Sequence, residues 1–139
     1  MGYRSEVAWV LRFKDTNQMR DYINLLRYKR DEHINTALEE IKQSTDPEPI
    51  LFFSDDFLKW YDDYEDVRAH HFIMDHAYEL YGDDVGWRFI RIGEESDDIE
   101  ERHDGNVDDM WDYIYVSRSI NGNLPTGEPV IEDEKEEVK

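Results

Sequence analysis

Apolar and polar residues alternate along Glu6–Lys14. Val7, Trp9, Leu11 and Phe13 fall on one side, and Ala8, Val10 and Arg12 on the other. A period of two predicts a β-strand. The period then changes: Met19, Tyr22, Ile23 and Leu26, then Ile34, Leu38 and Ile41, recur at helical spacing, with Asp15-Thr16 placed to cap the start. The polar stretch Arg27–Glu32 interrupts the series, so the pattern predicts one long helix or two stacked ones. Pro47 and Pro49 stop it.

Ile50–Phe53 reads as a short buried strand. Ser54-Asp55-Asp56 then predicts the cap of a short helical turn bearing Phe57, Leu58, Trp60 and Tyr61. A second main helix is predicted over 67–81, with Ile73, Ala77 and Leu80 on one stripe, Met74 and Tyr81 beside it, and Gly82 as its stop. Residues 85–92 alternate as a strand, Val85, Trp87, Phe89 and Arg91 against Gly86, Arg88, Ile90 and Ile92. Residues 93–109 read as a long acidic loop. A last strand is predicted over 110–120, with Trp111, Tyr113 and Tyr115 opposite Ile114 and Val116. Turn residues follow from Asn121, and 131–137 has the composition of a disordered acidic tail.

This order predicts an α+β two-layer sandwich: a four-stranded, mainly antiparallel sheet with helices on one face. Residues 1–120 form the single domain and 121–139 a flexible acidic C-terminal tail. The small branched residues Ile90, Ile92, Ile114 and Val116 suit the helix-covered face. The opposite face then carries Trp87, Phe89, Trp111, Tyr113 and Tyr115, a platform for a partner or a second copy unless another segment covers it. The chain is accordingly a monomer or a homodimer.

Composition narrows the chemistry. Hydrophobic residues make up 39% of the 139 residues and aromatics 14%, enough for a folded core. With no cysteine, disulfides, thiolate catalysis and cysteine-based zinc sites are excluded, and a reducing compartment is compatible. Met1–Glu6 has no apolar stretch of the secretory kind, and no run is long enough to span a membrane.

Charge is the strongest compositional signal. The net −19 arises almost wholly beyond residue 43: Met1–Gln43 carry eight Lys/Arg and seven Asp/Glu, and Ser44–Lys139 carry eight and twenty-eight. Such a field repels nucleic acid and anionic membrane and attracts basic protein surfaces. Aromatics on a four-stranded sheet suit RNA stacking, but phosphates need nearby cations, and Gly93–Asp112 offers ten acids against one arginine. The ordered acids of Asp55–Asp66 and Glu94–Asp112 predict a basic partner, and Asp55, Asp56, Glu94, Glu95, Asp97 and Asp98 are the candidate contacts. A narrower form is a DNA mimic that occupies a DNA-binding cleft.

Catalytic signals are weak. His71 and Asp75 share a helix face and offer two metal ligands, with His70 adjacent, but no two-histidine metalloprotease helix exists. The loop 94–109 clusters oxygens without EF-hand spacing. No phosphate-binding glycine loop or nucleophile elbow is present. A non-enzymatic protein with no cofactor is expected, with a small metal-dependent enzyme as the alternative.

Met1-Gly-Tyr-Arg-Ser-Glu6, Trp87-Arg-Phe-Ile-Arg-Ile-Gly-Glu94 with Asp97-Asp98-Ile99-Glu100, and Tyr113-Ile-Tyr-Val-Ser-Arg-Ser119 resemble segments of small acidic accessory proteins of tailed bacteriophages. The resemblance transfers no catalytic residue. It implies action in the cytoplasm of an infected bacterium, by binding and modulating a host enzyme or defence protein. Some such proteins are themselves sensed by host immune proteins, toxin–antitoxin systems included.

Overall fold

A computed structural model of the chain describes residues 3–130 except 96, 109 and 118, and leaves out the side chains of 117 and 119. The strand predicted first is β1 (Ser5–Arg12). The helical pattern resolves into two helices, α1 (Thr16–Tyr28) and α2 (Glu32–Glu40). Asp15 caps α1 as the sequence suggests, accepting from the Gln18 amide, and Asp31, within the polar stretch, caps α2 by accepting from the amides of His33 and Ile34. Between them Arg30 adopts a left-handed φ of 56°, which breaks the helix.

Strand β2 (Lys42–Ser44) leads to β3 (Ile50–Leu58), then α3 (Glu65–Tyr81), a 3₁₀ turn at Gly82–Asp84, β4 (Gly86–Ile92) and β5 (Ile99–Gly105). A small hairpin of β6 (Tyr115–Ser117) and β7 (Ser119–Asn121) follows, and β8 (Glu128–Pro129) closes the described chain. No helix among the described residues is long and apolar enough to cross a membrane.

The α+β class holds, with three α-helices and an antiparallel sheet, but the sheet has six strands where four were expected, in the order β5-β4-β1-β3-β2-β8. Three local expectations change with it. The short helical turn after Phe53 does not form, because β3 continues to Leu58 against β1. On the side away from β1, β4 pairs with β5, inside the expected acidic loop, whose backbone pairs with every residue of β4. The stretch from Met110 to Ile114 is a series of turns and joins no sheet. Of the expected tail, residues 121–130 are folded: β8 pairs with β2, and Val130 is buried in the main core. The rest, 131–139, lies outside the described residues.

The two faces of the sheet are the reverse of the expectation. Trp87 and Phe89 share the helix-covered core with Val7, Trp9, Leu11, Leu51 and Phe53, packed against Met19, Leu26, Leu38, Ile73, Met74 and Ala77. The rings of this face meet rings on α3, Trp9 with His70 at 5.9 Å and Phe89 with His71 at 4.9 Å between centres, contacts that add to burial. Burying each large side chain of this set contributes about 1.5–3 kcal/mol. The aliphatic face, with Ala8, Val10, Ile50 and Ile90, is covered by the segment from Val107 to Leu124.

Candidate interaction surface at one end of the sheet

Antiparallel register decides which acids meet. Ser5 lies opposite Leu58, Glu6 opposite Ile92, and Ile92 opposite Ile99. The far end of β3 and the β4–β5 turn therefore share one end of the sheet. Asp55 and Asp56 stand on the first, and Glu94, Glu95, Asp97 and Asp98 on the second.

Residues Tyr3 and Arg4 tie the two together. The Tyr3 amide donates to the Tyr61 hydroxyl at 2.6 Å, and the Tyr3 hydroxyl donates to Asp98 Oδ2 at 2.6 Å. The Arg4 amide donates to Glu94 Oε2 at 2.7 Å, while its guanidinium lies 4.7 Å from the centre of the Phe57 ring. Arg91 forks onto Asp98 at 2.7 and 3.2 Å and donates to Glu100 at 3.1 Å. These bonds, the Arg91 pair first and Tyr3 second, hold the Asp98 carboxyl down at about 2. The same contact with Asp98 raises the Tyr3 phenol. The Glu94 and Asp98 carboxylates are fixed by these bonds, and with them the turn that carries Glu95 and Asp97, which lowers the ordering cost of binding.

Phe57 and Ile99 supply apolar contact area at this end. Between the pairs Ser5–Leu58 and Val7–Asp55 the ladder slips, so Asp56 and Phe57 together oppose Glu6. A bulge re-aims side chains, and Phe57 is 65% exposed. Asp55 Oδ1 supports the bend by accepting from the Phe57 amide at 3.1 Å. Ile99 at the start of β5 is also exposed. Neither was among the residues expected at the site; the sequence places Phe57 on a short helical turn.

The expected aromatic platform is dispersed. Trp87 and Phe89 are buried under α3, and Tyr113 is buried with its hydroxyl donating to Glu48 at 3.0 Å. Burial, aided by Glu48, pushes that phenol up to about 12. Only Trp111 and Tyr115 are exposed, each by a little under half. The Trp111 ring covers the buried Arg88 guanidinium at 4.4 Å and meets His103 edge-on at 5.3 Å.

The histidines have structural partners. Buried His70 accepts from Trp9 Nε1 at Nδ1, 3.1 Å, so its Nε2 carries the proton toward Glu40 at 3.0 Å. His71 and Asp75 both sense the positive charge of Arg102, which opposes cation binding there. Burial first, and Arg102 second, lower the His71 imidazole; burial raises the Asp75 carboxyl. Among the described residues no three His, Asp or Glu side chains are grouped to hold a metal ion.

Comparison with protein-family models, curated proteins and solved structures gives no match for this chain.

Proposed function

We propose that this chain is a non-enzymatic accessory protein of tailed-phage type that binds a host protein with a basic surface. The contact is the acidic end of the sheet. One observation carries the reading: two acidic segments distant in sequence are fastened to one frame around an exposed phenylalanine. An apolar anchor within a charged rim is the usual plan of a protein-binding surface. The outcome for the partner, whether inhibition, modulation or triggering of a host toxin–antitoxin immune protein, follows from the partner's identity.

The test is affinity capture from bacterial lysate with the full chain and two variants, D56N/E95Q/D97N and F57A. The three acids make no side-chain hydrogen bond or ion pair among the described residues, so their neutralisation leaves the frame intact. The reading expects a partner held at low salt, released as salt shortens electrostatic reach to a few ångströms, and lost with either variant. A partner held equally by both variants, or no partner at any salt, overturns it. Displacement of a captured DNA-binding protein's own duplex would narrow the reading to DNA mimicry.

A further inference from the structure

A second feature lies on the helical layer. A groove of about 450 Å³ opens between the α1–α2 turn, the first turn of α2 and the first two turns of α3. That volume falls in the range of small-molecule sites, roughly 300–1,000 Å³. Its floor is Ile34 and Ala69, both buried, and its wall is Phe72, whose ring is fixed by stacking on His76 at 4.7 Å.

The charges around the groove are divided and largely uncommitted. Lys29 Nζ sits 5.7 Å from the Phe72 ring centre, and Arg68 Nε donates to the Asp62 carbonyl at 3.4 Å. Among the described residues neither cation has a carboxylate within ion-pair distance, in a chain with 35 acids and 16 bases. Of the two acids in the lining, Asp31 is occupied in capping α2, at 2.9 and 3.0 Å. The Glu65 side chain makes no hydrogen bond or ion pair among the described residues. His33 at the rim is balanced by its own acids, with Nδ1 3.1 Å from Asp66 and Nε2 3.6 Å from Glu32, and leaves the carboxylate-binding role to Lys29 and Arg68.

An anion alone would meet Asp31 and Glu65, and a cation alone would meet Lys29 and Arg68. The arrangement complements a molecule carrying both charges on an apolar body. We propose that this groove binds a free α-amino acid with an apolar side chain. Its carboxylate lies on Lys29 and Arg68, its ammonium group on Glu65, and its side chain on Ile34, Ala69 and Phe72. The site is separate from the acidic end and does not depend on the reading given for it.

The test is a titration of the full, isotopically labelled chain followed by amide resonances. The probes are leucine and phenylalanine, N-acetylphenylalanine, which lacks the ammonium charge, and phenethylamine, which lacks the carboxylate. Saturable shifts confined to residues around 29–34 and 65–72 are expected with the amino acids. Each one-charge analogue should bind at least about tenfold more weakly, the usual effect of one lost charged hydrogen bond. The variants R68Q and E65Q, at exposed positions, should weaken amino-acid binding similarly while leaving other resonances in place. Absence of saturable shifts with both amino acids overturns the proposal. So does equal binding of either analogue, or unchanged affinity in both variants.

Discussion

Arg91 grips Asp98 with two nitrogens, at 2.7 and 3.2 Å, across the turn that joins β4 to β5. The pair fixes the turn and thereby the acids around it. Asp98 titrates at about 2 in the folded chain against an ordinary 3.8. A depressed carboxyl stabilises the fold fully above its unfolded value and loses that contribution as pH falls toward the folded one. The contribution of Asp98 to stability should therefore be lost between roughly pH 4 and pH 2. D98N should be less stable at neutral pH and flatter across that window. Equal slopes for the two proteins would remove Asp98 from the acid response.

His33 and His71 should titrate on opposite sides of 6.5. The contact with Asp66 raises the first, and burial lowers the second. The His33 contribution is present below pH 6.5 and fades as pH rises through its folded value. That of His71, favoured neutral, is present above pH 6.5 and declines as pH falls. Imidazole proton resonances followed against pH give both midpoints directly. A His71 midpoint above that of His33 would contradict the packing described.

Replacing His70 by alanine should cost about 3 kcal/mol. The change leaves a cavity among Trp9, Phe53 and Trp60 and strips the buried Trp9 indole of its acceptor. Urea unfolding measures the loss. The neighbouring H71A, at a half-buried position, should cost clearly less.

Arg30 holds a left-handed backbone with a side chain that disfavours it. Glycine there should raise stability by about 0.5–1 kcal/mol, the relief of Cβ strain at a helix C-terminus. A fall in melting temperature for R30G would mean that the Arg30 side chain does more than the backbone suggests.

Trp111 separates two roles by one substitution. As a lid on Arg88 its loss to alanine should destabilise the chain by about 1–2 kcal/mol. As a partner contact its loss should weaken capture without changing the unfolding midpoint. The geometry favours the first.

Most regular elements were legible because their periods are strong. β1, α1, α3 and β4 follow directly from alternation or helical spacing. β5 was not, because Ile99-Glu-Glu-Arg-His-Asp-Gly105 has almost no apolar face. It is a strand through backbone pairing with β4 at the sheet edge, where charges discourage further pairing. Alternation separated Trp87 and Phe89 from Ile90 and Ile92 correctly, but it does not say which set the helices cover. At the candidate site the acids were legible as composition. Their convergence was not, since it depends on register between β1, β3, β4 and β5 and on the side chains of Tyr3 and Arg91. The bulge that turns Phe57 outward leaves no periodic trace.

The two extremities of the described chain emerge in different neighbourhoods. Tyr3 is clasped within the acidic end, bonded to Tyr61 and Asp98. Val130 is seated in the helical core, its carbonyl held by Arg27 at 2.9 Å. A reporter or immobilising handle joined ahead of Tyr3 would cover the very carboxylates whose recognition it was meant to detect. Val130, by contrast, lies beside α1 at the β8 edge of the sheet, opposite the β5 edge, so the choice of attachment point alone decides whether those carboxylates stay open to a partner.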